Sequence, residues 1–314
     1  MKTILKIIGV IVIILALGGI INSVKDKNPD PRPVANNQSQ NQQSGSSQSA
    51  TSEPTKKDLV LRDVKYGTDK RNTMNIFVPK GSNKETPFIL FMHGGAWVSG
   101  DKNDVAIIQL ALGGAGIASA SINYRYASDT VHYAELMSDV DKAVNYIVEH
   151  GKDWNVDTNK ISIGGISAGA HMALLYGYQY DKGNHISSII SMAGPTDMTN
   201  VDFLNGATLL KLIDGANKMT GAKYEFGKPV PNQFKDASPI QYIKNIPTLI
   251  IHGTGDMVVP YDQAELLSDK LKQKSYTHDL MTIPNANHDL GLGNPVTAKQ
   301  IADRVVEWVK KYHE

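Results

Sequence analysis

Residues 165–169, Gly-Ile-Ser-Ala-Gly, hold one hydroxyl between two glycines. A serine so framed is either a nucleophile on a sharp turn or a small residue in a phosphate-binding glycine loop. The loop reading requires G-x-G-x-x-G and an acidic residue closing the next strand, and neither is present. The turn reading requires a strand before the motif and a helix after it, which "KISIG" and the pattern beyond Ser167 supply. Strained backbone angles at such a turn leave no room for side chains two residues away, which explains Gly165 and Gly169. The helix amino terminus then favours negative charge developing near the hydroxyl.

A hydroxyl is a poor nucleophile without a base, so Ser167 needs a histidine and an orienting carboxylate. Where a strand-turn-helix presents serine in this way, the chain order is serine, acid, histidine, with the acid after a late strand and the histidine in a loop after the last one. Of nine histidines, His185, His252, His278, His288 and His313 lie beyond the helix that starts at Ser167. His185 and His252 come before any suitable acid, His278 falls inside the strand pattern "YTHDLMTIP", and His313 adjoins the last residue given. His288, in "NANHDLG", remains. Asp256 follows the strand "PTLIIHGTGD" by a short turn and is the acid, with Asp262, already in the next helix, a distant second.

Charge on a carbonyl oxygen must also be met by preorganised donors, each worth about 2.7 to 4 kcal/mol. "FMHGGAW" offers them, because the backbone turns at residues of minimal size that let N–H groups approach a substrate. Gly95 and Ala96 are the expected donors, joined by the N–H of Ala168. Trp97 either lines the substrate pocket or covers the loop. His93 is expected to tie the loop to its neighbours, His171 to pack beneath the turn, His252 to end a strand with its hydrogen bond satisfied, and Asp197 to fix a loop. No His/Asp/Glu cluster has metal-ligand spacing, and the chemistry requires no cofactor.

These residues must be positioned by an alternation of strands and helices. "DLVLRDVKYG" and "RNTMNIFVPK" alternate polar and apolar residues, as an antiparallel hairpin does. "PFILFMHGG", "GIASASINYR", "KISIGGIS", "ISSIISMAG" and "IPTLIIHGTGD" are short continuous apolar runs of strands buried on both faces. Helical periodicity separates most of them, over His132–His150, from Ser167 to Tyr180, and from Thr297 to Tyr312. Such alternation predicts an α/β fold, a mostly parallel sheet with helices on both faces entered through an antiparallel edge, with chemistry at the carboxyl ends of the strands. Residues 199–234 predict a small cap insertion, one helix over Phe203–Ile213 followed by a Gly/Pro-rich return.

Composition removes other classes. Lys and Arg total 32 against 31 Asp and Glu, with no basic run, so no nucleic-acid partner is expected. With no cysteine, disulfides, thiolate metal sites and a cysteine nucleophile are excluded. Ile7 to Ile21 is almost uninterruptedly apolar between flanking lysines, a membrane-targeting segment within residues 1–24. An uncleaved anchor is favoured over a cleaved signal peptide, because the polar stretch before a cleavage site is missing. Residues 25–56 are rich in Asn, Gln, Ser and Pro and cannot offset their ordering entropy, so they read as a tether on the order of 30 Å long. Residues 57–314 form the folded domain. The expected location is exported, either held at the cell surface through the amino-terminal segment or secreted.

The residues "HGGAWVSGDK" (93–102), "INYRY" (122–126), "GGISAGAH" (164–171), "AGPTDM" (193–198), "ASPIQYIKNIPTLIIHGTGDMVVP" (237–260) and "NANHDLG" (285–291) together resemble the α/β-hydrolase superfamily. The resemblance is to its carboxylesterase branch, which includes hormone-sensitive-lipase-like, feruloyl and acetylxylan esterases and kynurenine formamidase, and it covers nearly all of 60–312. It implies an eight-stranded sheet and a serine esterase acting on carboxylic esters of short acyl chains. Many relatives carry a third glycine where this chain has Ala96. The tethered position suits small-molecule or polysaccharide esters as substrate. An amide hydrolase on the same three residues is the nearest alternative. A binding module without catalysis is the alternative from another class, and such modules usually lose members of the triad.

Overall fold

The computed structural model describes residues 54–313. The amino-terminal segment 1–24 and most of the tether lie outside the described residues. Thr55 already bonds to Pro79 and Ser82, two residues before the predicted start of the domain.

Eight strands form one sheet: β1 Leu59–Lys65, β2 Thr73–Val78, β3 Phe88–Met92, β4 Ala118–Asn123, β5 Ile161–Ile166, β6 Ile186–Met192, β7 Thr248–Gly253 and β8 His278–Ile283. Their order is β1-β2-β4-β3-β5-β6-β7-β8. β2 pairs antiparallel with β1 and β4, and every pair from β4 to β8 is parallel. The predicted α/β architecture, its antiparallel edge and its mostly parallel eight-stranded sheet are therefore present.

The sheet separates two cores. Leu90 and Met92 of β3 face one side, and Ile89 and Phe91 face the other. The first side is covered by α2 (Tyr133–His150), α3 (Ala168–Leu175) and α7 (Asp262–Gln273), which bury Val140, Ala143, Val144, Met172, Leu267 and Leu271. The second is covered by α1 (Ala106–Gly114) and α8 (Pro295–Lys311), through Leu112, Ile301, Val305 and Trp308. Apolar strands buried on both faces need this two-sided cover.

Two elements differ from the sequence reading. The helix after Ser167 is α-helical only to Leu175 and continues as a π-turn over Tyr176–Tyr180, closed by Asp181 N–H donating to the Tyr176 carbonyl at 2.9 Å. In the cap region, the single helix predicted over 203–213 is two helices. α4 (Val201–Leu209) begins at Asn200, whose side chain accepts from Phe203 N–H, and ends where Lys211 turns left-handed at φ 60°. Leu212 N–H then reaches back to the Ala207 carbonyl at 2.7 Å, the end-bond that stops a helix. α5 (Ile213–Thr220) follows, capped by Gly221 at φ 73°, and α6 (Asn232–Asp236) closes the insertion.

The crossover from β4 to α2 depends on a buried ion pair. Asp139 is fully buried and accepts from Arg125 Nε at 2.8 Å, from its second guanidinium nitrogen at 2.8 Å and from its backbone N–H at 3.0 Å. Removing Asp139 leaves the partly buried Arg125 guanidinium with the Glu135 carbonyl but without its carboxylate. Asp139→Ala should cost about 3 kcal/mol, lowering the thermal unfolding midpoint by roughly 6–12 °C. Circular dichroism melts check this, and a midpoint unchanged from the parent would contradict it.

Candidate active site

β5 runs into Ser167 at the carboxyl edge of the sheet, and Ser167 adopts φ 56° and ψ −120°. That conformation costs roughly 1–3 kcal/mol in a residue with a side chain, so its surroundings must impose it. They do so by exclusion and by bonding. A Cβ at Gly165 would stand 2.3 Å from the Gly169 carbonyl carbon, and one at Gly169 would stand 2.3 Å from the Met92 oxygen. Ser167 N–H donates to the Met192 carbonyl at the end of the neighbouring strand β6 at 2.8 Å, and His171 N–H closes the first turn of α3 on the Ser167 carbonyl.

Ser167 Oγ lies 2.9 Å from His288 Nε2, and His288 Nδ1 lies 2.8 Å from Asp256 Oδ2. The carboxylate accepts from Nδ1–H, which leaves Nε2 free to accept from the hydroxyl. The backbone brings these residues together. Gly255 N–H donates to the Ala286 carbonyl, Thr254 N–H to the Ile283 carbonyl, and Asn285 N–H to Thr254 Oγ1, so the acid turn and the histidine loop are bonded to each other. Leu290, fully buried, anchors the loop two residues beyond His288.

Asp256 Oδ1 accepts from Val258 and Val259 N–H at 2.8 and 2.9 Å. Burial pushes its carboxyl up, but bonds from His252 and His288, the charge of His288 and the Val259 N–H outweigh this and hold it well below the usual carboxylate range. His252 is a partner that the sequence did not reveal. Its Nε2 lies 2.9 Å from the Val259 carbonyl and 3.3 Å from Asp256 Oδ2. Because a carbonyl only accepts, Nε2 carries the proton and donates to both. His252 ends its strand with a hydrogen bond made, as expected, while its buried Nδ1 has no partner among the described residues. Asp262, the second-choice acid, instead accepts from Asn200 at 3.0 Å at the start of α7.

The loop after β3 has left-handed backbone at Gly95 (φ 113°), Ala96 (φ 49°) and Trp97 (φ 63°). The N–H groups of Gly95, Ala96 and Ala168 have no acceptor among the described residues, as donors awaiting an oxyanion would. Around them polar partners are dense. His93, fully buried, stacks on Tyr124 at 4.4 Å, and the Tyr124 hydroxyl donates to the His93 carbonyl at 2.9 Å. Arg71 donates to the carbonyls of Tyr124 and Gly100 and lies 3.7 Å over the Tyr126 ring, and Tyr126 also donates to Gly100. His93 therefore ties the loop down, as expected. Arg71, in the β1–β2 turn, was missed because nothing in a lone arginine signals a distant loop.

The Trp97 side chain is 4% exposed, packs over the loop and donates from Nε1 to His171 Nδ1 at 3.2 Å. His171 Nε2 in turn donates to the Ala237 carbonyl at 2.8 Å. Asp197 fixes its own loop, accepting from Thr199 N–H and hydroxyl.

The BD-FAE family model matches residues 74–271, well over half of the chain. The chain belongs to the BD-FAE family. This match contains the loop of Gly95 to Trp97, Ser167 and Asp256, while His288 lies beyond it. The BD-FAE chain is similar to a probable isoprenylcysteine alpha-carbonyl methylesterase, ICME, of Oryza sativa subsp. japonica, at 28% identity over 79% of this chain and 62% of that protein. It is also similar to esterase LipC of Mycobacterium tuberculosis, at 26% identity over 80% and 65%. It thus spans less than two thirds of the length of these relatives. Among solved structures, a truncated carbohydrate esterase from gut microbiota superposes with a TM-score of 0.66 at 21% identity, covering 82% of this chain and 99% of that one. The fold of this BD-FAE member is that of the α/β-hydrolases, in their carboxylesterase branch.

Two buried histidines make this BD-FAE domain acid-sensitive. Burial, aided by Arg71, lowers His93 to about 4 against its bond to Gly94, and burial lowers His171 to about 4 against its bond to Ala237. Between about pH 6.5 and 4 the unfolded chain therefore binds more protons than the folded one, and stability falls as pH falls. The loss is about 3 kcal/mol for each residue. Asp256, held low, adds to it only below roughly pH 4. The thermal midpoint should drop steeply between pH 6.5 and 4.5, with a shallower drop in His171→Gln. A midpoint constant across that window would contradict the burial argument.

Proposed function

We propose that this chain is a serine esterase that hydrolyses carboxylic esters of short acyl chains through an acyl-enzyme. The observation that carries the reading is the continuous hydrogen-bonded path from Asp256 through His288 to Ser167 Oγ, ending on a strained turn, together with the N–H groups of Gly95, Ala96 and Ala168 that have no acceptor among the described residues. Ser167 Oγ attacks the carbonyl carbon while its proton passes to His288 Nε2, and the carbonyl oxygen becomes an anion facing the N–H groups of Gly95, Ala96 and Ala168. Asp256 holds the imidazole tautomer and stabilises its positive charge. The tetrahedral species then collapses by breaking the bond to the alcohol oxygen, which leaves with the proton from His288. Water repeats the sequence on the acyl-serine and releases the acid.

Support for an ester substrate comes from the relatives, which are named as esterases, and support for a carbohydrate ester from the superposed carbohydrate esterase. The same proposal places the domain outside a membrane, held there by the apolar stretch within residues 1–24 or released by its cleavage. No helix among the described residues is long and apolar enough to cross a membrane.

Ser167→Ala should lower turnover of a chromogenic acetyl or butyryl ester by about 10⁶-fold with the fold intact. An alanine variant that keeps its activity would refute the assignment. Fractionation of cells expressing the full chain should recover it with membranes or in the medium, and a purely cytosolic distribution would contradict the proposed location.

A further inference from the structure

Ala96 offers its N–H from a left-handed backbone that an alanine does not adopt unaided. Something must hold the peptide there, and the contacts that do so come from the cap insertion. Gly215, in the first turn of α5, approaches so closely that a Cβ on it would stand 2.4 Å from the Ala96 carbonyl oxygen and 3.2 Å from the Ala96 Cβ. α5 is itself fixed at its far end, where His132, at the start of α2, lies 2.8 Å from the Lys218 carbonyl. On the other side, the Trp97 indole donates to His171, and His171 donates to Ala237, the residue that ends α6. The loop bearing two of the three oxyanion donors is thus held between α5 of the insertion and, through His171, Ala237 just after the insertion ends. Ala127 N–H completes the hold on the Trp97 carbonyl at 2.9 Å.

We propose that the cap insertion braces the oxyanion hole, with Gly215 pressed on the Ala96 peptide and His171 linking Trp97 to Ala237 as positioning residues for ester hydrolysis. The inference rests on the hydrolytic reading above and deepens it. The insertion sets how well the site binds a transition state, as well as covering the substrate. Residue 215 has to be glycine for this. An added methyl would force α5 and the loop apart by roughly 1 Å to reach ordinary contact. An oxyanion donor has to lie within about 2.7–3.1 Å of the charge, so a displacement of that size removes much of its effect. Alanine is otherwise the better helix former, so damage from the substitution would come from the contact and not from the helix.

The test compares Gly215→Ala, Gly206→Ala and the parent in the full chain. Gly206, in α4 of the same insertion, has open space around its Cα and serves as the control. Readouts are kcat and KM on a butyryl ester and the affinity of butylboronic acid, whose tetrahedral adduct on serine puts an oxygen in the hole. Gly215→Ala should lower kcat about 10- to 100-fold, leave KM within about threefold, and weaken the boronic acid in parallel with kcat. Gly206→Ala should match the parent. A merely structural role would lower the unfolding midpoint while leaving kcat per folded molecule and boronic acid affinity unchanged, and that result overturns the inference. If Gly215→Ala does not fold, Trp97→Phe decides, since it keeps a ring and removes the N–H donated to His171. It should lower kcat and boronic acid affinity together by about fivefold or more, and no change overturns the inference. A parent that hydrolyses no ester overturns the hydrolytic reading and this inference with it, whereas an active parent with an unaffected Gly215→Ala overturns this inference alone.

Discussion

The left-handed turn at Ser167 is the constraint on which the rest of the site depends. Held at φ 56° and ψ −120°, it lifts one hydroxyl out of the sheet edge and leaves Ala168 N–H directed beside it at the start of α3. The turn exists only because three backbones come unusually close: the end of β3, the end of β5 and the first turn of α3. Gly169 touches the Met92 carbonyl and Gly165 touches Gly169, so a methyl group at either position would separate strand from helix. The strain is local and the restraint is not, which is how a packed scaffold preorganises a reactive group.

The same arrangement recurs at the two other components. The acid and the histidine sit on different loops, but backbone bonds between Thr254–Gly255 and Ile283–Ala286 join these loops before any side chain is considered. Asp256 is then saturated on both oxygens by N–H donors, so a buried carboxylate stays ionised opposite a half-buried imidazole. The loop of Gly95 to Trp97 is held by Arg71, Tyr124 and Tyr126 from beneath and by the cap insertion from above. Each component of the site is positioned by a partner distant in sequence.

That distance explains what was legible in the chain alone. Ser167, Asp256 and His288 could be picked out because the glycine-framed serine sits between a strand and a helix and the order serine, acid, histidine follows the strands. The strands could be found because parallel strands buried on both faces read as apolar runs. The place of His252 at a strand end was legible, but its second contact, to Asp256, was not, because it arises from the tight turn after β7 and hydropathy carries no record of that turn. Helix α5 was hidden by a segment, "IDGANKMTG", whose Gly and Asn lower its helical signal. Trp97 was ambiguous because an aromatic beside an oxyanion loop is compatible with either role, and nothing local records the bond from its indole nitrogen to His171. In each case a tertiary contact overrode or completed a local preference.

The central claim is that the hydroxyl of Ser167, and no other group in the chain, is the nucleophile. It is tested most directly by treating the full chain with a fluorophosphonate and locating the adduct by peptide mass spectrometry. The account predicts one phosphonylated residue, Ser167, formed in step with loss of esterase activity. A stable adduct on any other residue, or full loss of activity with Ser167 unmodified, would contradict it.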